Sequence, residues 1–216
     1  MKHKSFVPEF VLNIYNSGVQ EYCFTGCVMI VDLSGFTQLT QSLMEDTSNG
    51  VDTLALIIKN IFSPLISEIH SIGGFVSSFA GDSFNAIFPN DTCNSSDVST
   101  TATSLIEIVK NLSLDQKFNI ENQINIKIGI GHGDITLGFA KDNFNSTYFF
   151  DGLGIRSAVR SVVKANSNEI IYSQSFIHSV NTSSLKPQAY DQDIYEHYNE
   201  DIKAIKASRQ KYLHIS

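Results

Sequence analysis

The stretch VMIVDLSGFTQLTQSL, residues 28–43, decides the fold of this chain together with GGFVSSFAGDSFNAIFP, residues 73–89. Each segment places one aspartate beside small residues at the end of an apolar run: Asp32 in the first and Asp82 in the second. Two carboxylates brought together on neighbouring strands provide the oxygen ligands that hard divalent cations prefer. A site for two such ions suits phosphoryl or nucleotidyl transfer, where metals orient and neutralise the oxygens at the reacting phosphorus.

The composition is that of a single globular domain with an acidic surface. With 216 residues, of which 42% are hydrophobic, the chain can bury one core of ordinary size. The formal net charge of −7 argues against nucleic acid as a partner, because nucleic-acid binding normally needs a basic face. It does not argue against a nucleotide ligand, since metal ions can carry positive charge to the phosphates.

The hydropathy pattern contains neither a membrane anchor nor a leader. Every apolar run is shorter than the roughly 18 residues that cross a bilayer. MKHKSFVPEF, at the N-terminus, lacks the apolar run of a signal peptide. We therefore expect a cytoplasmic protein without a membrane partner.

Hydrophobic periodicity predicts an α+β sandwich in which helices cover one sheet. The continuous apolar run over residues 26–33 predicts a buried strand. The spacing over residues 51–72 predicts a long amphipathic helix that a proline kinks or breaks. Residues 75–79 and 83–88 predict a β-hairpin with Asp82 at its turn. The other expected elements are a short helix over 36–43, a loop over 90–103 leading into a helix that ends at 112, strands over 124–130 and 135–139 that form a second strand pair, a strand over 147–150, a helix over 155–165 and a strand over 169–172.

Taken together, the two aspartate segments resemble the catalytic domains of the class III nucleotidyl cyclases, which include adenylyl and guanylyl cyclases. VDLSGFT and FAGDSFNAIFP carry the resemblance, and KIGIGHGDITLG followed by YFFDGLGIRSAVR supports it in order and spacing. It covers residues 7–172 and is nearest to the bicarbonate-responsive soluble adenylyl cyclase type. It implies a ferredoxin-like βαββαβ sandwich with a mainly antiparallel sheet. The domains are then a helical preface over 1–22, a cyclase catalytic domain over 23–185 and a tail or linker over 186–216.

The resemblance assigns a role to each residue of a metal-binding half. Asp32 and Asp82 match the metal-binding aspartates, and the backbone carbonyl of Leu33 completes the coordination of two divalent cations, Mg²⁺ or Mn²⁺. One ion activates the ribose 3′-hydroxyl and the other holds the triphosphate. The implied reaction converts a nucleoside triphosphate, with ATP as the first candidate, to a 3′,5′-cyclic nucleotide and pyrophosphate. The amides that would cradle the β- and γ-phosphates are those of Ser34, Gly35, Phe36 and Thr37.

The base-binding half departs from the family pattern. Ser78 stands where the family has its purine-selecting Lys, and Phe149 stands where Asp or Thr is usual. Arg156 replaces the ribose-orienting Asn, whereas the transition-state Arg is kept as Arg160. These cyclases build each site at a dimer interface, with metals from one half and the base and transition-state residues from the other. The resemblance therefore implies a metal-donating member of an asymmetric pair, with a second cyclase domain as partner.

Other interpretations of the same residues stay open. A regulatory pseudo-cyclase would bind a partner domain without turnover, and the loss of the Lys and Asn favours it. Taken alone, an aspartate placed as Asp32 is more often a helix cap than a metal ligand, and one placed as Asp82 more often stabilises a turn. A diguanylate-cyclase-like domain is a weaker alternative, because Ser83 stands where an acidic residue would follow Asp82. His132, in GIGHGD, is expected to be structural or on the surface.

Overall fold

Strand β1 (Glu21–Ser34) is the central element of the structure, a computed structural model that describes residues 7–35, 50–114, 124–141, 146–180, 196–198 and 202–206. Its neighbours are β3 (Ser83–Pro89) on one edge and β4 (Asn125–Lys141) on the other, both antiparallel to it. The remaining strands are β2 (Phe75–Ala80), β5 (Ser146–Gly152), β6 (Ile170–Ser173), β7 (Glu196–Tyr198) and β8 (Ile202–Lys206). The helices are α1 (Glu9–Asn16), α2 (Gly50–Ser71), α3 (Ser95–Leu114), α4 (Leu153–Lys164) and α5 (Gln174–Ser179).

The eight described strands form one sheet in the order β2-β3-β1-β4-β6-β8-β7, and β5 pairs with the second half of β4. Every pairing is antiparallel except that of β4 with β6. The order β2-β3-β1-β4, with α2 and α3 as crossovers, is that of the predicted ferredoxin-like sandwich. The predicted fold class is therefore confirmed.

Helices cover both faces of the sheet, which explains why β1 is an uninterrupted apolar run. Cys27, Met29, Val31 and Leu33 lie on the face covered by α2 and α3 and belong to the larger core. Val28 and Ile30 lie on the opposite face, in a smaller core with Ala158 and Val162 of α4. Asp32 continues the second series, because alternate residues of a strand share a face. No helix among the described residues is long and apolar enough to span a membrane.

Two glycines of β4 let α4 approach the sheet closely. A Cβ atom on Gly129 would lie 2.2 Å from the backbone N of Val162 and 2.6 Å from the carbonyl O of Ala158. One on Gly131 would lie 2.1 Å from Oγ of Ser157. In KIGIGHG, glycine alternates with isoleucine. The glycines leave room for α4 to pack closely on one face of β4, and the isoleucines contribute to the larger core on the other face.

Several predicted elements were wrong in part. Residues 90–103 were expected to be a loop, but α3 already begins at Ser95. Its many Ser and Thr residues hid a buried apolar stripe of Val98, Ala102 and Leu105. The Asn94 carboxamide oxygen accepts a hydrogen bond from the Asp97 amide at 2.8 Å and stabilises the start of the helix.

The expected strand pair around HGD is instead the single strand β4. Its pairing with β1 continues through this segment, with Cys27 opposite His132 and Gly26 opposite Gly133, so no turn forms. β1 also begins earlier than expected, at Glu21. Beyond residue 186, where a tail was expected, β8 pairs with β6 and β7 pairs with β8. The short helix expected over 36–43 lies outside the described residues.

Replacing Gly129 tests the close approach of α4. We expect Gly129→Ala to lower the free energy of unfolding by about 2–3 kcal/mol, because the added methyl group meets backbone atoms that cannot rotate away. Urea denaturation measures the loss. Gly154→Ala is the control in the same interface: its nearest contacts are 3.3 Å, so we expect a change within about 1 kcal/mol. Equal losses in the two variants would contradict the packing argument.

Candidate functional site

Asp32 lies near the end of β1 on the face that carries α4. In the sheet it is directly opposite Ser83 of β3 and Lys127 of β4. Its side chain is 30% exposed. Pairing on both edges fixes the backbone of Asp32, so the position of this carboxylate is set by the centre of the sheet.

Asp82 lies in the turn between β2 and β3. Gly81, with φ of +65°, adopts the left-handed conformation that this turn requires. The Ser83 hydroxyl donates to the Ala80 carbonyl at 2.8 Å and closes the turn. The Leu33 amide donates to the Asp82 carbonyl at 3.4 Å, so the turn is joined to the end of β1. Asp32 and Asp82 are thereby brought to neighbouring positions at one end of the strand pair.

The Leu33 backbone faces the same turn. In an antiparallel ladder the N–H and C=O groups of one residue point to the same edge of the strand. Because the Leu33 amide bonds to Asp82, its carbonyl is also directed toward the hairpin. The Leu33 side chain is buried in the larger core, which leaves only backbone atoms of this residue for a site.

Lys127 is a site residue that the sequence analysis missed. Its ammonium Nζ lies 2.9 Å from Oδ2 of Asp32, and its side chain is 30% exposed, as is that of Asp32. The only signal in the sequence is one cationic residue within the apolar run INIKIGI. The two strands are separated by too much chain for any local pattern to reveal their register.

The donor set at this end of the sheet fits hard divalent cations. It consists of two partly exposed carboxylates and the Leu33 carbonyl, all of them oxygen ligands. No group of three or more His, Cys, Asp and Glu side chains that could hold a metal is found among the described residues. The remaining ligands would therefore be substrate oxygens and water, which Mg²⁺ accepts readily.

The predicted phosphate-binding residues are described only in part. Ser34 ends β1, and its hydroxyl donates to the Asn125 carbonyl at 3.5 Å. Gly35 follows with φ of +87°, a conformation that favours glycine. Phe36 and Thr37 lie outside the described residues. β1 therefore ends two residues after Asp32, and the backbone turns at Gly35.

Ser78 and Phe149, the two predicted base-pocket residues, line one cavity of about 280 Å³. The cavity lies on the sheet face of Asp32, between β2, β3 and β5. Its other lining residues are Val28, Ser77, Asn85, Ile87, Tyr148, Phe150 and Ile155.

Hydrogen bonds organise the polar side of this cavity. The Asn85 carboxamide donates to the Ser78 hydroxyl at 3.0 Å, and the Tyr148 hydroxyl donates to the Ser77 carbonyl at 3.3 Å. Burial raises the pKa of Tyr148, so this phenol stays protonated. Sequence analysis identified neither Asn85 nor Tyr148. The side chains named above as its lining are all uncharged.

Arg156 and Arg160 lie on the exposed face of α4. The Arg156 guanidinium is 3.6 Å from the Asp151 carboxylate, with both side chains more than half exposed. Arg160 is also exposed. The same helix face carries exposed apolar side chains, among them Leu153 at 62% and Val163 at 74%. The structure thus places both arginines beside apolar surface and away from the two cores.

His132 lies outside this site. It is opposite Cys27 in the β1–β4 ladder, five residues from the Asp32–Lys127 pair, which corresponds to about 17 Å along the strand. Its Nε2 is 3.2 Å from Nδ2 of Asn90. Burial lowers the pKa of His132, and the Asp134 carboxylate partly opposes that shift. These contacts fit the expected structural role.

Comparison with solved structures shows which known proteins share this fold. A bacterial light-regulated adenylyl cyclase superposes with a TM-score of 0.73 at 16% identity, covering 96% of this chain and 60% of that one. The adenylyl cyclase CyaB from P. aeruginosa gives 0.69 at 16% identity, with 90% and 100% coverage. The guanylyl cyclase Cya2 gives 0.67 at 14% identity, with 87% and 93% coverage. The fold is that of class III cyclase catalytic domains.

Curated adenylate cyclases of one type are similar to this chain in sequence as well. The chain is 25% identical over 153 residues to adenylate cyclase type 10 of Rattus norvegicus and 24% identical over 152 residues to that of Homo sapiens. The alignments cover 70% and 69% of this chain, but only 10% and 9% of the relatives, so the chain spans about a tenth of their length. It matches no protein-family model. The predicted resemblance to class III cyclases, nearest to the soluble adenylyl cyclase type, is confirmed.

The pKa of His132 provides a test of its structural role. Because its folded-state pKa is lowered, the folded protein binds this proton more weakly than the unfolded chain does. The resulting stability is present above pH 6.5 and is lost as the pH falls through the folded pKa. We expect an NMR titration midpoint below 6.5, and a still lower one in Asp134→Asn, which removes the opposing charge. A midpoint at or above 6.5 would contradict the burial argument.

Proposed function

We propose that this chain is a nucleotidyl cyclase domain that converts a nucleoside triphosphate, ATP first, to a 3′,5′-cyclic nucleotide and pyrophosphate. In this proposal it contributes the metal-binding half of a site shared with a second cyclase domain. The observation that carries it is the convergence of Asp32, the Leu33 backbone and Asp82, through β1–β3 pairing and the Leu33–Asp82 hydrogen bond. Two neighbouring carboxylates repel each other, and a bound cation removes that repulsion.

In this proposal, the residues of the metal-binding half bind the cations and orient the nucleotide. Asp32 and Asp82 would hold two divalent cations, Mg²⁺ or Mn²⁺, which supply Lewis-acid activation of the ribose hydroxyl and charge neutralisation at the phosphates. The Ser34 and Gly35 amides, together with those of Phe36 and Thr37, would contact the β- and γ-phosphates. Catalysis would then rest on positioning and electrostatic stabilisation.

The need for a partner is supported by the surface of α4 and by the altered cavity. Leu153, Val159 and Val163 expose apolar surface next to Arg156 and Arg160. Contiguous apolar surface of this kind marks interaction sites. One structural neighbour is described as a dimeric guanylyl cyclase domain, and another as a guanylyl cyclase core of converted specificity in complex with ATPαS. The complementary domain would then supply the base-reading residues, and Arg160 would stabilise the transition state of a second site.

A regulatory pseudo-cyclase is the second candidate. The observation that favours it is the cavity around Ser78 and Phe149, whose only polar side chains are uncharged. The Arg156 guanidinium is also paired with Asp151 of its own chain. Such a domain would bind a partner cyclase domain through the α4 surface without converting nucleotide itself.

Asparagine variants of the two aspartates test the metal-binding half. We expect Asp32→Asn and Asp82→Asn each to reduce cyclic-nucleotide production with Mn²⁺ more than roughly 100-fold, because an amide cannot replace an anionic ligand. The assay supplies each of the four nucleoside triphosphates in turn. It uses the chain alone and the chain mixed with a cyclase domain whose own metal-binding aspartates have been replaced.

Asp91→Asn is the matched control, since Asp91 is an exposed loop residue near neither aspartate. Circular dichroism confirms that each variant is folded. Activity of Asp32→Asn equal to that of Asp91→Asn would overturn the metal assignment. A wild-type chain that is silent alone and in the mixture, yet stimulates or inhibits an intact cyclase domain, would support the pseudo-cyclase.

Restoring the family residues tests the base half. We expect Ser78→Lys combined with Arg156→Asn to raise the activity of the chain alone roughly tenfold, because the family's base-reading residue returns to the cavity lining and its ribose-orienting residue returns to α4. Ser78 is exposed at the cavity, so a lysine can extend from it. Ser146→Lys combined with Arg156→Asn is the control, because it makes the same change in charge with the lysine on β5, outside the cavity lining. Equal activities of the two double variants would show that the cavity does not receive the base.

A further inference from the structure

We propose that Lys127 is a built-in counter-ion of Asp32 that a divalent cation must displace, and that it thereby sets the metal affinity of the site. The inference rests on the proposed role of Asp32 as a metal ligand. It goes further by assigning Lys127, a residue outside the predicted metal set, the part of an internal competitor for the same carboxylate oxygen.

The fold imposes this ion pair. Asp32 and Lys127 are directly opposite each other in the β1–β4 ladder, so their side chains emerge on the same face. The ladder continues on both sides, with Ile30 opposite Gly129 and Ser34 opposite Asn125. A slip of one residue would transfer every side chain of the strand to the other face. The lysine is therefore held beside the aspartate for as long as β1 and β4 are paired.

The pair is also shielded from solvent. Both side chains are 30% exposed, whereas those of the Asp151–Arg156 ion pair are 60% and 57% exposed. The distances agree with this difference, at 2.9 Å for Asp32–Lys127 and 3.6 Å for the surface pair. Charges act more strongly on each other where less water separates them. Lys127 is thus placed to influence any cation that approaches Asp32.

A divalent cation and the Lys127 ammonium would compete for Oδ2 of Asp32. An ammonium at 2.9 Å already occupies a coordination direction of that oxygen, and its charge repels an incoming cation. Removing the ammonium leaves Asp32 and Asp82 as two uncompensated carboxylates, which raises their affinity for a cation. The lysine therefore weakens metal binding while keeping the empty site partly neutral.

Direct Mn²⁺ binding to the purified chain, without nucleotide, tests this role. Electron paramagnetic resonance of free Mn²⁺ gives the affinity independently of turnover. We expect Lys127→Met to tighten binding roughly tenfold, because it removes the charge and keeps the aliphatic length. Lys141→Met is the matched control: it makes the same change on the same strand, at an exposed position of the β4 end. Its Mn²⁺ affinity should equal that of the wild type.

Three further variants make the outcome decisive. Lys127→Arg keeps the charge and should retain the weak Mn²⁺ affinity of the wild type. Lys127→Gln removes the charge and should bind Mn²⁺ as tightly as Lys127→Met does. If Lys127→Met fails to fold, Lys127→Gln takes its place. In an Asp32→Asn background, Lys127→Met should no longer change the affinity, since its target oxygen has lost its charge.

These measurements distinguish failure of the competitor role of Lys127 from failure of the metal role of Asp32. If Asp32→Asn weakens Mn²⁺ binding but both neutral Lys127 variants bind as the wild type does or more weakly, the competitor role is overturned and the metal site stands. If Asp32→Asn leaves Mn²⁺ binding unchanged, the metal role of Asp32 fails, and the inference fails with it.

Discussion

The antiparallel pairing of β1 with β4 is the constraint on which the rest of the structure depends. It comprises 14 registered residue pairs, and β3 adds a second ladder on the other edge of β1. A strand paired on both edges cannot shift without breaking two sets of hydrogen bonds. A slip of one residue would turn Asp32 into the larger core and Leu33 out of it. The register thus fixes at once the core, the carboxylate and its lysine partner.

The same register explains how one strand serves both packing and chemistry. Gly129 and Gly131 alternate with isoleucines along β4, so one face admits the α4 backbone and the other fills the core. Lys127 lies two residues before Gly129 and on the same face of β4, just beyond the part of the strand that α4 covers. At that position the helix no longer covers the sheet, so the Asp32 and Lys127 side chains are partly exposed, as charged side chains require. The site therefore forms where the packing of the sandwich ends.

Sequence patterns predicted what depends on local information. The hairpin around Asp82, the long helix α2 and the position of Asp32 at the end of a buried strand all follow from apolar runs, spacing and turn residues. What they missed depends on partners distant in the chain. HGD stays in β4 because β1 continues to pair with it, and the Asp32–Lys127 contact exists only through inter-strand register. The polar residues of α3 concealed its start because a buried stripe takes only about three to four residues in every two turns.

The two groups of candidate site residues differ in charge, and a function is easier to justify energetically for the charged group around Asp32. Asp32 and Asp82 occupy neighbouring positions at the end of the β1–β3 pair, and Lys127 pairs with the Asp32 carboxylate. A fold selected for stability alone gains little from such a group, because apolar side chains of similar volume often serve as well as a partly buried charge pair. The cavity around Ser78 and Phe149, by contrast, has an uncharged lining that contains the Ser78–Asn85 hydrogen bond. The charged pair thus lies at the end of the sheet where we propose that cations bind, and the lining of the proposed base pocket is uncharged.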